Sequence, residues 1–180
     1  MQVTGGKFKG KKLANCKSKS IRPAMGLVRK SIFDTLKNLV NGANVLDLFA
    51  GTGIVGIEAI SRGAKSLVVV DSNPLSVKLM RKNLSICNIE ATVIRAKLPA
   101  VLNSKTLKAY KFDLIFIDPP YGQSNLIENI LEQLINNSIL SKNGLIFIES
   151  EAKSDFTIPE QLEIYKEKLF GTTKLTILKK

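Results

Sequence analysis

The segment Asp47-Leu-Phe-Ala-Gly51-Thr-Gly53-Ile-Val-Gly56 decides the fold. Its three glycines follow the pattern G-x-G-x-x-G, between a run typical of a buried strand and a run typical of a helix. Glycines at such a turn let the backbone approach a ligand closely, and the turn lies at the carboxyl edge of an open parallel sheet. The segment therefore predicts an α/β fold with a ligand site at that edge.

Strand and helix patterns alternate on the C-terminal side of this turn. The predicted strands cover residues 45–49, 66–71, 91–95, 112–118 and 144–150, and the predicted helices run from the turn to Ser61, over about 74–87 and over about 125–139. The strands are nearly continuously apolar, as expected for a parallel sheet covered on both faces. Two further strand-like runs, 161–170 and 172–178, meet at Gly171 and predict an antiparallel hairpin.

The N-terminal part differs from the rest in charge. Of the formal net charge of +12, residues 1–41 hold +9, with ten Lys or Arg against one acid. Residues 1–21 alternate apolar and basic residues with glycine breaks and predict a small hairpin and loop. A helix is predicted after it from apolar residues at helical spacing: Val28, Ile32, Phe33, Leu36 and Leu39. We predict a basic extension at residues 1–41 and a main domain at residues 42–180; the extension is either a phosphate-binding surface or a solvated terminus.

Composition excludes several chemistries. The chain has no histidine, and its two cysteines stand in no metal-like spacing, so neither a zinc site of the Cys/His kind nor a histidine base is expected. The apolar runs are far shorter than the roughly 20 residues that span a bilayer. No apolar stretch follows the first lysines, so no signal peptide is expected either. We expect a cytoplasmic protein that binds no membrane and no metal.

Two aspartates indicate what the glycine turn binds. Asp71 ends the second predicted strand, 20 residues after Gly51, where a carboxylate can accept hydrogen bonds from ribose hydroxyls. The glycine turn and Asp71 fit a nicotinamide-dependent enzyme and a methyltransferase equally well. Asp47 favours the second, because its negative charge would repel a pyrophosphate but suits the cationic amino group of a methionine moiety.

The tetrapeptide Asp118-Pro119-Pro120-Tyr121 is the most specific signal, and it follows the fourth predicted strand. An exocyclic amine on a nucleic-acid base is a poor nucleophile, because its lone pair is delocalised into the ring. The Asp118 side chain and the Pro119 carbonyl can accept from that amine and stabilise the charge that develops on nitrogen. Tyr121 offers a face on which the base can stack. These residues predict methyl transfer to an exocyclic amine.

The chain resembles the bacterial 16S ribosomal RNA (guanine-N2)-methyltransferase family over nearly its whole length. Many amino methyltransferases share the central motifs. Two features distinguish this family among them. They are the opening Val3-Thr-Gly-Gly-Lys-Phe-Lys-Gly10-Lys-Lys-Leu13 and the pair Arg22-Pro23. The resemblance implies a class I methyltransferase (Rossmann-like) fold, with a mostly parallel seven-stranded sheet and an antiparallel C-terminal hairpin. It also implies a monomer that acts on a guanine of 16S rRNA within the small ribosomal subunit.

The candidate site residues fall into three groups. Catalysis is expected from Asp118, Pro119, Pro120 and Tyr121. S-adenosyl-L-methionine is expected to bind at Asp47, Phe49, Ala50, Gly51, Thr52, Gly53, Asp71, Ser72, Ala96 and Lys97. RNA is expected to contact Lys7, Lys9, Lys11, Lys12, Lys17, Lys19, Arg22 and Arg29.

Three alternatives stay open at this point. A DNA adenine-N6 or cytosine-N4 methyltransferase uses the same tetrapeptide, but only 46 residues separate Asp71 from Asp118, which leaves little room for a target-recognition insert. A nicotinamide-dependent oxidoreductase shares the glycine turn but has no use for Asp47 or the tetrapeptide. A non-enzymatic RNA-binding module would not need an intact tetrapeptide.

Overall fold

The computed structural model describes residues 1–15 and 23–180, with the side chains of the second segment described from residue 26. Within these residues one sheet has the strand order β3-β2-β1-β4-β5-β7-β6. Strands β1 to β5 are parallel, and β7 is antiparallel to both of its neighbours. The strands are β1 Asn44–Leu48, β2 Ser66–Asp71, β3 Thr92–Arg95, β4 Phe112–Ile117, β5 Leu140–Glu151, β6 Glu163–Phe170 and β7 Thr173–Lys179. This topology confirms the predicted class I methyltransferase fold.

Helices cover both faces of the sheet. They are α1 Pro23–Leu36, α2 Ile54–Ser61, α3 Pro74–Ile86, α4 Lys105–Lys108 and α5 Ser124–Asn136, with short 3-10 helices at Gly6–Phe8, Lys37–Val40 and Ala100–Asn103. Helix α3 begins where it does because the Asn73 side chain accepts from the backbone N–H groups of Leu75 and Ser76, and Pro74 takes the first position.

The alternation of side chains along each strand divides the core into two layers. Val45 of β1 packs in a cluster with α1, α2 and α3, whereas its neighbour Leu46 packs with α5 on the opposite face. Asp47 therefore lies on the face that α1, α2 and α3 cover. The N-terminal residues Val3 and Leu13 are buried in this same cluster.

Some element bounds differ from those the sequence predicts. Helix α1 ends at Leu36, and the 3-10 helix after it changes the spacing at which side chains face the core. Leu39, predicted on the apolar face, is therefore 63% exposed, and Val40 is buried instead. Strand β5 begins at Leu140 instead of 144, and a break in register precedes its main pairing with β4. The helical turns between β3 and β4 were not predicted, since each is only four residues long.

The strand order places the candidate residues along one edge. In this order β1 lies between β2 and β4, with Leu48 paired to Val70 on one side and to Ile117 on the other. From β1 the chain first adds β2 and β3 on one side and then returns to add β4 on the other side of β1. Ligands bind at such topological switch points, outside the carboxyl ends of the strands. No helix within the described residues is long and apolar enough to cross a membrane.

Candidate active site

The glycine turn joins β1 to α2 through unusual backbone conformations. Phe49, Gly51 and Gly53 have φ angles of 59°, 53° and 75°. A Cβ at Gly53 would lie 2.9 Å from Cγ of Met80, so a larger residue there would force the Met80 side chain to shift. A Cβ at Gly51 would meet only the Phe49 carbonyl oxygen, at 3.8 Å, so that face of the backbone is open to a ligand. The left-handed conformation of Phe49 is uncommon for an aromatic residue and is typical of functional sites.

Asp47 is a buried carboxylate beside this turn. Its side chain is 4% exposed, and Oδ2 accepts the backbone N–H of Gly56 at 3.0 Å. Burial raises the pKa of Asp47 to about 7; the Gly56 N–H opposes this rise, and the charges of Asp118 and Asp71 add to it. A ligand cation placed next to Asp47 would favour its ionised form.

Asp71 links the glycine turn to the start of α3. Its Oδ2 accepts the N–H of Gly51 at 2.8 Å, and its Oδ1 accepts the N–H of Asn73 at 2.8 Å. Each carboxylate oxygen has a second lone pair, so Asp71 can still accept from a ligand. Ser72 and Lys97 are exposed near it, at the carboxyl ends of β2 and β3, and Ala96 donates its N–H to the Asp71 carbonyl at 3.2 Å.

The tetrapeptide 118–121 follows β4 directly, as predicted. Pro119 is buried and Pro120 is exposed. The hydroxyl of Tyr121 forms a 2.8 Å hydrogen bond with Oγ1 of Thr173, the fully buried first residue of β7. The C-terminal hairpin therefore sets the direction of the tyrosine ring.

Residues from both the glycine turn and the tetrapeptide 118–121 line one cavity. It has a volume of about 460 Å³, and Asp47, Thr52, Asp118 and Glu149 are among its lining residues. Arg29 of α1 adds a cation to the same wall, while Phe116 and Phe147 supply apolar surface. The structure thus brings Asp47 and Asp118 together. Of the predicted catalytic and cofactor residues, Asp47, Thr52 and Asp118 line this cavity, and the others do not: Phe49, Ala50, Gly51, Gly53, Asp71, Ser72, Ala96, Lys97, Pro119, Pro120 and Tyr121.

Part of the predicted basic surface is exposed on the N-terminal segment. Lys7, Lys9, Lys11 and Lys12 are exposed, and the amines of Lys7 and Lys11 lie 4.8 and 5.9 Å from the centre of the Phe8 ring. Lys17, Lys19 and Arg22, like Cys16, lie outside the described residues.

Comparison with known proteins gives the family. The profile of the family described as "Conserved hypothetical protein 95" matches residues 1–179. Ribosomal RNA small subunit methyltransferase D of Buchnera aphidicola is 33% identical over 168 residues, which cover 93% of this chain and 86% of that protein. The chain belongs to the family described as "Conserved hypothetical protein 95" and is similar to ribosomal RNA small subunit methyltransferase D.

A further relative and a solved structure are similar to this chain over nearly their whole length. The putative rRNA methyltransferase YlbH of Bacillus subtilis is 31% identical over 185 residues, which cover 100% of this chain and 99% of that protein. The solved structure of the putative methyltransferase yhhF of Escherichia coli superposes with a TM-score of 0.88 at 27% identity, covering 100% of this chain and 97% of that chain. The family resemblance and the fold predicted from the sequence are both confirmed.

Arg29 lies apart from the exposed lysines with which it was grouped. Its side chain is 13% exposed, Nη2 donates to the Gln2 carbonyl at 3.3 Å, and Nε lies 3.7 Å from Oε2 of Glu58. Among the described residues Nε has no hydrogen-bond partner, and burial lowers the pKa of Arg29. In this family member Arg29 is one of the residues that line the cavity, as Asp118 is, and its contact with RNA stays a prediction.

Two buried polar residues beside the site were not predicted. Glu58 of α2 accepts from the N–H and the hydroxyl of Thr4, at 2.8 and 2.7 Å, and pairs with Arg62 at 2.9 Å. Asn83 of α3 is also fully buried, between the N-terminal segment and the glycine turn. Each lies on the apolar face of its helix, Glu58 four residues after Ile54 and Asn83 three after Met80. A polar residue at a core position of the helical repeat was therefore the signal that could have found them.

Proposed function

We propose that this protein transfers a methyl group from S-adenosyl-L-methionine to the exocyclic N2 amine of a guanine in 16S rRNA of the small ribosomal subunit. The observation that carries the proposal is the cavity that Asp47 and Asp118 share. It connects a site suited to a cationic cofactor with a turn suited to an aromatic amine. The names of the related proteins, ribosomal RNA small subunit methyltransferase D, support the reaction class and the rRNA substrate.

The residues around the glycine turn fit this cofactor. A carboxylate that burial brings to a pKa of about 7 gains most from a ligand with a positive charge, and the methionine moiety carries an ammonium group. A nicotinamide dinucleotide would instead bring a pyrophosphate against Asp47. Asp71 would accept from the ribose hydroxyls. The remaining cofactor contacts would come from the turn and the neighbouring strand ends, at Phe49, Ala50, Gly51, Thr52, Gly53, Ser72, Ala96 and Lys97.

The tetrapeptide would activate the target amine. The bound cofactor supplies an electrophilic methyl group on a sulfonium centre. Asp118 and the Pro119 carbonyl would accept hydrogen bonds from the two N–H groups of the amine, which localises its lone pair and stabilises the positive charge that develops on nitrogen. As the N–CH₃ bond forms, the S–CH₃ bond would break with its electron pair left on sulfur, and the nitrogen would then release one N–H proton to water. Pro120 has no N–H that could compete for the Pro119 carbonyl. Tyr121, held by Thr173, would stack on the base.

The charges of the cavity favour guanine over adenine. Guanine presents the acceptors O6 and N7 together with the donors N1–H and N2–H₂, whereas adenine has an acceptor at N1. Besides Asp47, which the cofactor would occupy, the cavity is lined by the carboxylates of Asp118 and Glu149 and by the guanidinium of Arg29. Carboxylates match the donor edge of guanine, and arginine is the side chain that most often binds its acceptor edge. This arrangement supports a guanine-N2 product rather than the adenine-N6 product of the DNA enzymes.

The exposed lysines of the N-terminal segment would bind the RNA backbone, as would Lys17, Lys19 and Arg22. Phosphate contacts position an enzyme without reading sequence, which suits a substrate selected by the shape of an assembled subunit.

A division of the chain at residue 41 and a monomeric state are parts of this proposal. Val3, Leu13 and Phe33 share one apolar cluster with the sheet, so the basic segment is packed against the site it would serve.

Methyl transfer to 30S subunits from a strain lacking the modification tests the proposal. We expect N2-methylguanosine when the product nucleosides are analysed by mass spectrometry, and about 10²–10³-fold slower product formation by Asp118→Ala. A methylated adenine or cytosine would refute the guanine assignment. Calorimetry with S-adenosylmethionine and with NAD distinguishes the methyltransferase from the oxidoreductase, since only one of them should bind.

A further inference from the structure

Asn83 joins the N-terminal segment to the glycine turn through one buried side chain. Its Oδ1 accepts the backbone N–H of Ala14 at 2.9 Å. Its Nδ2 donates to the Ala14 carbonyl at 3.1 Å and to the Thr52 carbonyl at 2.9 Å. The side chain is 0% exposed. Both amide hydrogens and the amide oxygen are therefore used, and all of their partners are backbone groups of segments that form walls of the proposed active site.

A second contact joins the same two segments. The hydroxyl of Thr52 donates to Sδ of Met1 at 3.4 Å, and the Leu13 N–H donates to the Met1 carbonyl at 3.0 Å. Met1, Asn15 and Thr52 line the same cavity. The beginning and the end of the described N-terminal segment thus both reach the glycine turn.

The arrangement makes the two segments depend on each other. If Ala14 moved away, Asn83 would lose two of its three hydrogen bonds in a buried position, where an unsatisfied amide is costly. Its one remaining bond would then hold the Thr52 carbonyl less firmly. Conversely, a ligand that orders the glycine turn fixes the Thr52 carbonyl, and this orients the Asn83 amide to receive Ala14.

We propose that Asn83 is a positioning residue that couples docking of the basic N-terminal segment to the cofactor-binding conformation of the glycine turn. The inference rests on the proposed function, in which the turn binds S-adenosylmethionine and the segment grips RNA. Coupling of this kind is reciprocal in binding, so a bound cofactor stabilises the docked segment by the factor with which the docked segment favours the cofactor. The enzyme would therefore present its RNA-binding lysines most firmly when it carries the methyl donor.

Hydrogen exchange of the N-terminal amides tests this coupling without any RNA. We expect saturating S-adenosylhomocysteine to slow exchange at Val3, Leu13 and Ala14 in the wild-type protein by about fivefold or more, the lower end of typical coupling factors. In Asn83→Asp the side chain keeps its shape and can still accept from Ala14. Its second oxygen would face the carbonyl oxygens of Ala14 and Thr52, so the response to the ligand should disappear.

Controls separate coupling from a loss of stability. Asn137, at the end of α5, donates from Nδ2 to the Leu102 carbonyl at 3.2 Å and to Oδ1 of Asn103 at 3.0 Å, on the opposite face of the sheet. Asn137→Ala should lower the thermal midpoint yet keep the exchange response. Ala14→Pro removes the donor to Asn83 from the other side and should abolish the response even if Asn83→Asp does not fold.

The outcomes distinguish the two proposals. If S-adenosylhomocysteine does not bind the wild-type protein in calorimetry, the proposed function fails, and the coupling fails with it. If the ligand binds but the N-terminal exchange rates do not change, or change equally in wild type and Asn83→Asp, the coupling alone is refuted.

Discussion

Asp47 should make cofactor binding depend on pH across the neutral range. Its pKa in the unliganded protein is about 7, so roughly half of the molecules carry a protonated Asp47 at neutral pH. The ammonium group of the cofactor would be paired with the ionised form. Binding therefore has to remove the proton from Asp47 in the molecules that carry it. The affinity for the cofactor should fall as the pH is lowered, because more molecules are then protonated.

The size of the effect follows from that pKa. If the carboxylate stays ionised in the complex, protonation multiplies the apparent dissociation constant by 1 + 10^(7 − pH). This factor is about 11 at pH 6 and about 1.3 at pH 7.5, so the affinity should fall about eightfold between them, or about 1.2 kcal/mol. The affinity should change little above pH 7.5 until other groups titrate.

Isothermal titration calorimetry with S-adenosylhomocysteine provides the assay. Titrations at pH 6 in buffers that differ in ionisation enthalpy should report release of about 0.9 proton per ligand, since that fraction of a group with a pKa of 7 is protonated there. Asp47→Asn serves as the control: it keeps the shape of the side chain but cannot ionise, so its affinity should be weak and independent of pH. A wild-type affinity that is constant from pH 6 to pH 7.5, with no proton release, would refute the pairing of Asp47 with a cation.

The raised pKa of Asp47 also makes the free energy of unfolding depend on pH. The direction of this dependence is opposite to that caused by a salt-bridged aspartate. The folded protein holds the Asp47 proton more tightly than the unfolded chain, in which the pKa is near 3.8. The contribution of Asp47 to the free energy of unfolding is therefore fully present below about pH 4 and is lost as the pH rises through 7. Saturating cofactor should restore stability above pH 7, because it stabilises the ionised form.

Four further predictions address other parts of the molecule. Asp118→Ala should lower methyl transfer by about 10²–10³-fold, the usual effect of losing one transition-state stabilising group, without changing cofactor affinity; a retained rate above about a tenth would contradict it. Asp71→Ala should weaken cofactor binding by about 1.5–3 kcal/mol in calorimetry; an unchanged dissociation constant would make Asp71 a purely structural link between loops. Glu58→Gln should lower the free energy of unfolding by about 3 kcal/mol in urea titrations, because it leaves Arg29 and Arg62 without a buried counter-charge; a loss below about 1 kcal/mol would show that the cluster is solvated. Finally, a quadruple glutamine variant at Lys7, Lys9, Lys11 and Lys12 should weaken RNA binding and flatten its salt dependence, since each lost phosphate contact removes about 0.7–0.9 from the slope of log K against log salt concentration. An identical slope would place the RNA site elsewhere.

The sheet could be predicted from the sequence because its signals are local. Each parallel strand is a short apolar run, and each crossover helix begins after a polar or glycine-rich turn, so neighbouring residues carry the information. Ser66–Asp71 and the start of α3 at Pro74 match their predicted bounds for this reason. The isolated turns Ala100–Asn103 and Lys105–Lys108 were missed, because helical periodicity needs more than four residues to show itself.

The candidate site was predictable only where a motif marks it. The glycine turn and the tetrapeptide 118–121 carry their chemistry in consecutive residues, and the parallel topology then places them on one edge. Contacts between residues far apart in sequence left no such trace. The hydrogen bond from Tyr121 to Thr173 spans 52 positions, and that from Asn83 to Ala14 spans 69.

The basic N-terminus makes contacts that its charge does not indicate. By charge, residues 1–41 form a separate extension, and this division treats Arg29 as one more surface cation. In the structure Val3 and Leu13 enter the core, Thr4 satisfies the buried Glu58, and Met1 and Asn15 line the cavity with Arg29. One short segment therefore exposes lysines and also contributes residues to the cavity. RNA bound to those lysines would act on the same segment whose Ala14 backbone is hydrogen-bonded to Asn83. Substrate binding and cofactor binding would thereby be linked through Asn83, a residue to which the proposed function gives no contact with either ligand.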